Sequence, residues 1–411
     1  MQWTSNRTLI AVLAIATFLI IPSSLGSTTQ RVWAQNSLTI NGAGATFPFP
    51  LIDTWRVEYA KENPGVNINY QSIGSGGGIK QFTDMTVDFG ASDAPLTATQ
   101  RQNLKGVAVH VPETIGSVTA VYNLPEVPNK GLKLTGSVLA DIFLGKITKW
   151  DDPKLKELNA ALPLPSKDIT VVHRSDGSGT TFVWTSYLSK VSQVWSDSVG
   201  KGTAVQWPAG IGSPGNEGVA TSVKTTTYTI GYVELSYALT TKMTYAFLQN
   251  HDGNNFVEPS LESTRQAVEK LSTTLPKGED SWENVSLLDA PGENAYPIAS
   301  FSYILLYKDM STNPAVTKEK AEALIRFVSW AVTSGQQHSE KLSYVPLPDA
   351  VVQHNLETLR TLTYKDQSLA TAVVPEFSVI AALVLAVALV SIVASQKLSR
   401  AGKTTLGRSA I

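Results

Sequence analysis

The sequence predicts an α/β protein whose exported body folds as two lobes, followed by a membrane-spanning helix near the C-terminus. Three observations carry that prediction. Strand-like and helix-like runs alternate along the chain, the body is longer than one average domain, and a long apolar run lies near the end. The chain has 411 residues, 43% of them hydrophobic, and no cysteine. Such a chain can bury a large core, and without thiols it has no disulfide, thiolate metal site, cysteine nucleophile or cysteine-linked lipid.

The elements follow in order. Residues 37–41 are β-prone, and Ile52, Trp55 and Tyr59 then recur at helical spacing up to the stop at Asn63-Pro64-Gly65. Residues 66–71 alternate as a strand, 78–85 read as a helix and 87–91 as a short buried strand. Residues 107–111 and 118–122 read as two further strands, 137–144 as a helix and 169–173 as a strand. An amphipathic helix is expected over 181–191, with Trp184, Tyr187, Leu188 and Val191 on one stripe. A strand over 300–307 and a helix over 318–333, with Ala321, Leu324, Ile325, Val328 and Ala331 spaced for burial, complete the body.

Residues 35–112 and 296–360 are assigned to the first lobe and 113–295 to the second. The Pro/Asn-rich 123–129 and the Pro/Gly/Glu-rich 289–297 are the expected crossovers. Residues 361–376 read as a polar stalk, 377–395 as the transmembrane span and 396–411 as a cytoplasmic tail.

The two ends differ in kind. Residues 1–34 read as a secretory signal, with Arg7 at the positive start, an apolar run over 9–22 and the small residue Ala34 at the end. Residues 377–395 are apolar apart from serines and long enough to span a bilayer core. Lys397, Arg400, Lys403 and Arg408 follow them, which places the C-terminus in the cytoplasm. Pro375-Glu376-Phe377 with the span and its basic end resembles the tripartite tails of archaeal surface proteins.

The net charge of −1 hides a split. Setting aside two basic residues in 1–34, and four basic and one acidic residue in 371–411, leaves 27 basic against 33 acidic groups. An acidic body does not provide the basic face that non-specific nucleic-acid binding needs.

Three loop-to-helix junctions share one design: Asn41-Gly42-Ala43-Gly44-Ala45-Thr46-Phe47-Pro48, Ile73-Gly74-Ser75-Gly76-Gly77-Gly78 and Arg174-Ser175-Asp176-Gly177-Ser178-Gly179-Thr180. Small residues let backbone approach a ligand, and a helix start offers unpaired N–H donors at its positive dipole end. Any one of them reads first as a capped turn; three in one chain suit an anion site. In an acidic body Arg174 is the counter-charge, with Asp176 near enough to fix its guanidinium. Asp93, in Phe89-Gly90-Ala91-Ser92-Asp93-Ala94-Pro95, reads by itself as a helix N-cap. Beside an anion it makes sense only if the anion brings a proton, as monohydrogen or dihydrogen phosphate does and sulfate does not.

Gly42-Ala43-Gly44-Ala45-Thr46-Phe47-Pro48, Val87-Asp88-Phe89-Gly90-Ala91-Ser92-Asp93-Ala94-Pro95, Ile142-Phe143-Leu144-Gly145-Lys146-Ile147-Thr148-Lys149-Trp150-Asp151-Asp152 and Arg174-Ser175-Asp176-Gly177-Ser178-Gly179-Thr180 resemble the phosphate-binding proteins of phosphate ABC transporters, in order from about residue 38 to about residue 350. The resemblance implies a two-lobed periplasmic-binding-protein type II fold with the ligand cleft between the lobes. It also implies delivery of inorganic phosphate to ABC permease subunits, with no cofactor and no catalysis. It gives phosphate oxygens to the Thr46 and Phe47 amides, the Thr46 hydroxyl and the Ser75 amide and hydroxyl. Asp93 takes the phosphate proton, Arg174 steered by Asp176 supplies positive charge, and Ser178, Gly179 and Thr180 complete the second half. His173 stands where an arginine is usual in the family, and Gly76 where a second serine can occur.

Other signals are weaker. Residues 210–215 match a dinucleotide fingerprint only formally, because Pro214 sits inside the turn and no buried strand precedes it; they read as a loop opening a helix over 216–223. The five histidines are scattered without metal-ligand pairing. The alternative function is a surface phosphatase or esterase using the same anion pocket, with Ser178 near His173; Asp176 stands where a nucleophile elbow needs glycine.

Overall fold

The computed structural model describes residues 37–269 and 275–373. The expected signal over 1–34, the span over 377–395 and the tail over 396–411 lie outside the described residues. Among the described residues no helix is long and apolar enough to cross a membrane.

Strand β1 (Leu38–Gly44) leads to helix α1 (Phe49–Glu62), β2 (Val66–Ser72) to α2 (Ser75–Thr83), and β3 (Phe89–Ser92) follows. β1 runs parallel to both β2 and β3, as helical crossovers require. α1 buries Leu51, Ile52, Trp55 and Tyr59, the stripe that its helical spacing predicts.

Strand β4 (Ala108–Asn123) is one strand of 16 residues where the sequence suggests two. Pro112 and Gly116 mimic a break. Instead, the ladder slips between Pro112 and Thr114 and leaves Glu113 as a β-bulge, so the strand runs on. The second half of the fold contains α3 (Gly136–Phe143), β5 (Thr170–Arg174), α4 (Gly179–Val191), β6 (Ile211–Ser213), α5 (Gly215–Thr225), β7 (Thr229–Glu234) and α6 (Leu235–Thr240). Strand β8 (Ala299–Tyr307) then returns to the first half, which ends with α7 (Lys318–Val332) and α8 (Asp349–Arg360).

The strand order is β2-β1-β3-β8-β4-β7-β5-β6, with the short strand Thr244–Tyr245 also on β4. β4 serves both halves. Its residues up to Ser117 pair with β8, and from Val118 onward with β7. The returning chain crosses at the same place, where the Val118 amide donates to the Ile298 carbonyl at 2.9 Å and the Tyr296 hydroxyl to the Val118 carbonyl at 3.1 Å. The passage between halves therefore lies inside β4 and not in the Pro/Asn-rich 123–129, because Asn123 still pairs with Thr229 of β7. Residues 361–373, expected to begin a stalk, pack on the body instead, with Leu362, Leu369 and Val373 at most 1% exposed. Their polar appearance comes from the residues between those apolar anchors. The tryptophans serve packing: Trp55, Trp150 and Trp184 are fully buried.

Candidate anion site between the two halves

The three predicted junctions meet. Gly74, at φ 82° before α2, lies against the far half so closely that a Cβ there would stand 2.3 Å from Asp176 Oδ2. Gly179, the first residue of α4, faces the opposite way: its Cβ would lie 2.4 Å from both Ser75 Oγ and Asp93 Oδ2. The Gly76 amide donates to the Gly177 carbonyl at 2.8 Å across the cleft. Small residues before each helix allow this approach, and side chains would prevent it.

Backbone donors line the contact. The amides of Thr46, Phe47, Ser75, Gly179 and Thr180 donate to no partner among the described residues, as expected of unfilled first-turn groups. The carbonyls beside two of them are tied back. Tyr237 donates to the Thr46 carbonyl and Tyr344 to the Phe47 carbonyl, each at 2.6 Å. This fixes the 46–47 peptides with their amides unused. Thr46, Ser75, Ser178 and Thr180 are at most 2% exposed.

One cation faces this set. Arg174 ends β5 with its side chain 1% exposed, and its Nε and Nη2 donate to Asp176 Oδ1 and Oδ2 at 2.7 and 2.5 Å. That bidentate fork sets the guanidinium plane. Burial pushes the Asp176 carboxyl up, but Arg174 and the Gly215 amide outweigh it and hold it below the usual range. Arg174 Nη1 lies 3.5 Å from Thr180 Oγ1.

Asp93 is almost fully buried just past β3. Its Oδ1 accepts from Ser302 at 2.8 Å, its own amide donates to Ser75 Oγ at 3.2 Å, and Oδ2 has no partner among the described residues. Burial pushes its carboxyl up to about 7, against the Ser302 hydrogen bond and the Arg174 charge. A helix N-cap role does not fit, because the next helix, Ala98–Asn103, is capped by Thr97.

The structure thus brings Thr46, Phe47, Ser75, Asp93, Arg174, Ser178, Gly179, Thr180 and Asp176 together. Ser178 has a structural duty as well: its Oγ accepts from the Thr181 amide at 3.0 Å as the α4 cap. His173 points away, its ring stacked 4.7 Å from Trp207, and its Nδ1 lies 3.0 Å from the Arg174 carbonyl. Serine and histidine therefore form no nucleophile–base pair here.

Sequence reasoning missed Asn216. Its side-chain amide donates to Thr46 Oγ1 at 2.7 Å and Thr180 Oγ1 at 3.1 Å, joining the two halves. The signal was present, since residues 210–215 are a fourth small-residue stretch before a helix. Ser302 and Glu113 were also missed and had no local signal. Both are buried strand residues brought to Asp93 by register, with Glu113 Oε1 2.9 Å from Ser302 Oγ.

The fold and cleft define a class: a two-lobed binding protein that seats an anion between facing helix starts. A family model for the PBP superfamily domain matches residues 29–334. The chain belongs to the family of the phosphate-binding protein PstS. It is 47% identical to that protein of Pasteurella multocida over 337 residues, covering 81% of this chain and 92% of the relative. It is 39% identical to that of Methanocaldococcus jannaschii over 341 residues, covering 80% and 87%. Among solved structures, a high affinity periplasmic phosphate-binding protein (PfluDING) bound with phosphate aligns with a TM-score of 0.60 at 20% identity, covering 77% of this chain and 92% of that one. The phosphate-binding protein of Stenotrophomonas maltophilia aligns at 0.59 and 19%, covering 78% and 93%. At such identities the structural likeness shows the fold.

Proposed function

We propose that this chain binds inorganic phosphate between its lobes outside the cytoplasm and hands it to the permease subunits of an ABC importer. It acts as a binding protein and not as an enzyme. One observation carries the reading: the buried, unpartnered Asp93 Oδ2 beside unused amides and the Arg174 guanidinium. Amides and guanidinium satisfy the ligand's bare oxygens, while Asp93 accepts a hydrogen bond from the oxygen that carries a proton. Thr46, Phe47, Ser75, Ser178, Gly179 and Thr180 supply the donors, with Asp176 holding Arg174. Sulfate, unprotonated at neutral pH, would set lone pairs against Asp93 Oδ2, and a mismatch of that kind can cost on the order of 10⁴-fold in affinity.

The return of β8 between β3 and β4 supports the type II arrangement. The place where β4 and the chain entering β8 cross, at Val118 and Ile298, is the natural hinge, because a rotation there leaves the strand pairing on either side of it intact. Transport coupling then requires the permease to prefer one lobe arrangement over the other. The sequence of residues 377–395 supports a C-terminal membrane anchor, tested by comparing membrane fractionation of the full chain with one truncated after residue 376. The ligand reading is tested by titrating the full-length protein with phosphate, sulfate and a chromogenic phosphate ester. Tight phosphate binding undisturbed by sulfate, without ester turnover, is expected; equal binding of both anions would overturn it.

A further inference from the structure

Three adjacent strands bring Asp93, Ser302 and Glu113 into one line. The β3–β8 ladder pairs Ser92 with Tyr303, so Asp93 comes opposite Ser302, and β8 pairs Ser302 with Thr114 on its other side. The bulge in β4 leaves Glu113 outside the ladder, and bulges re-aim side chains. Here it delivers a carboxyl to the same hydroxyl. Ser302 Oγ is 2.8 Å from Asp93 Oδ1 and 2.9 Å from Glu113 Oε1, and all three residues are at most 1% exposed.

A serine hydroxyl has one hydrogen. It cannot donate to two ionised carboxylates, so one of the two carboxyls must hold a proton and donate it to Ser302 Oγ. The surroundings decide which. Burial raises both carboxyls and the Ser302 hydrogen bond opposes it in both; beyond that Arg174 lowers Asp93, whereas the Asp93 charge raises Glu113, which is pushed up to about 8. Glu113 Oε2 has no partner among the described residues. Asp93 Oδ2 lacks one too, but it borders the cleft at Gly179, where a ligand can supply the hydrogen bond; a buried carbonyl oxygen left alone for good is tolerated far better than half of a carboxylate. The other titratable groups coupled to this line are Tyr70, which is half-buried, and Tyr303 and Glu234, both buried.

We propose that Glu113 is a positioning residue: a neutral acid that donates to Ser302, so that Ser302 must donate to Asp93 and leave Asp93 Oδ2 an ionised, acceptor-only group. Its O–H points to Ser302 Oγ, the serine O–H points to Asp93 Oδ1, and the lone pairs of Oδ2 face the cleft. The protein's preference for a protonated anion is thereby set by a residue that never touches the ligand. This rests on the phosphate reading above and deepens it.

The test uses the full-length protein at pH 7, with infrared spectroscopy for protonated carboxyls and titration with inorganic phosphate and sulfate. In ligand-free protein a protonated-carboxyl band is expected that Glu113→Gln removes and Asp93→Asn leaves; the Glu234 carboxyl contributes a separate component that both variants retain. Glu113→Gln, whose amide N–H can still donate to Ser302, should keep the phosphate-over-sulfate ratio within about threefold. Glu113→Ala and Ser302→Ala should lower it roughly tenfold or more, the worth of one hydrogen bond to a charged group. The inference is overturned if the band disappears in Asp93→Asn and survives in Glu113→Gln, or if Glu113→Gln loses selectivity as Glu113→Ala does. Failure of the wild-type protein to bind phosphate would instead sink the ligand reading and leave the band assignment standing.

Discussion

The helices that begin at the cleft differ from several that begin elsewhere. α3 and α7 start with threonine caps, Thr135 accepting from the Val138 amide and Thr317 from the Lys320 amide. α1, α2 and α5 start after Pro48, Gly74 and Pro214 with no side-chain cap. Capping is worth about 1 kcal/mol, so three site helices forgo a local stabilisation that α3 and α7 take. What α1 and α2 gain is N–H groups at Phe47 and Ser75 that a ligand can use, whereas at α5 the Gly215 and Asn216 amides brace the site by donating to Asp176 Oδ1 and Thr46 Oγ1. α4 is the compromise: Ser178 caps the Thr181 amide, and the Gly179 and Thr180 amides remain unused. α8 also lacks a side-chain cap, after Pro348, so an uncapped start alone does not mark a site; convergence does.

The strongest challenge to this contrast is Asp93→Asn. The amide can donate as well as accept, so sulfate no longer meets only lone pairs, and phosphate-over-sulfate preference should fall by on the order of 100-fold or more in competition titrations. Unchanged preference would mean that the uncapped amides alone choose the ligand. Next, Arg174→Ala removes a buried charge and should weaken phosphate and any residual sulfate binding together, by roughly 100-fold, as read by calorimetry. Unequal losses would show that the guanidinium also discriminates.

The third prediction concerns stability. Glu113 is raised to about 8 in the folded protein, against about 4.3 in an unfolded chain. Between those values the native state binds the proton and the unfolded chain does not. Wild-type stability should therefore decline as pH rises through that window, by up to about 1.4 kcal/mol per pH unit. Glu113→Gln has no such group, so its stability relative to wild type should rise from pH 5 to pH 8 in denaturant titrations. Asp93 and Glu234 are raised by burial too and keep their own slopes. The smallest effect separates the two kinds of helix start. Thr135→Ala should cost about 1 kcal/mol of stability and leave phosphate affinity unchanged, whereas Ser178→Ala should cost a similar amount and weaken binding as well.

Much of the site was legible because its parts are local. Glycine, serine and threonine ahead of a helical run mark a backbone that comes close to something, and Arg174 with Asp176 two residues on marks a braced cation. Asn216 was legible by the same rule and was passed over, because its stretch resembled a failed nucleotide motif. Asp93 was ambiguous for a physical reason: a carboxylate two residues before a proline caps helices as readily as it meets ligands. The lone orientation of its Oδ2 resolves that, and orientation is not a property of the segment. The single β4 strand escaped because Pro112 and Gly116 are ordinary breakers, and only pairing with β8 on one side shows that a bulge absorbs them.

Local backbone preference and apolar spacing, properties that act within a few residues, were enough to determine the α/β alternation, the helix starts, the charged pair and the anion chemistry they imply. Tertiary structure alone decided the passage between lobes, the packing of 361–373 and the Asp93–Ser302–Glu113 line. Asp93 and Ser302 are separated by 209 positions and Ser302 and Glu113 by 189. Strand register and one extra bulge residue choose which buried oxygens meet, and no propensity of either segment encodes that choice.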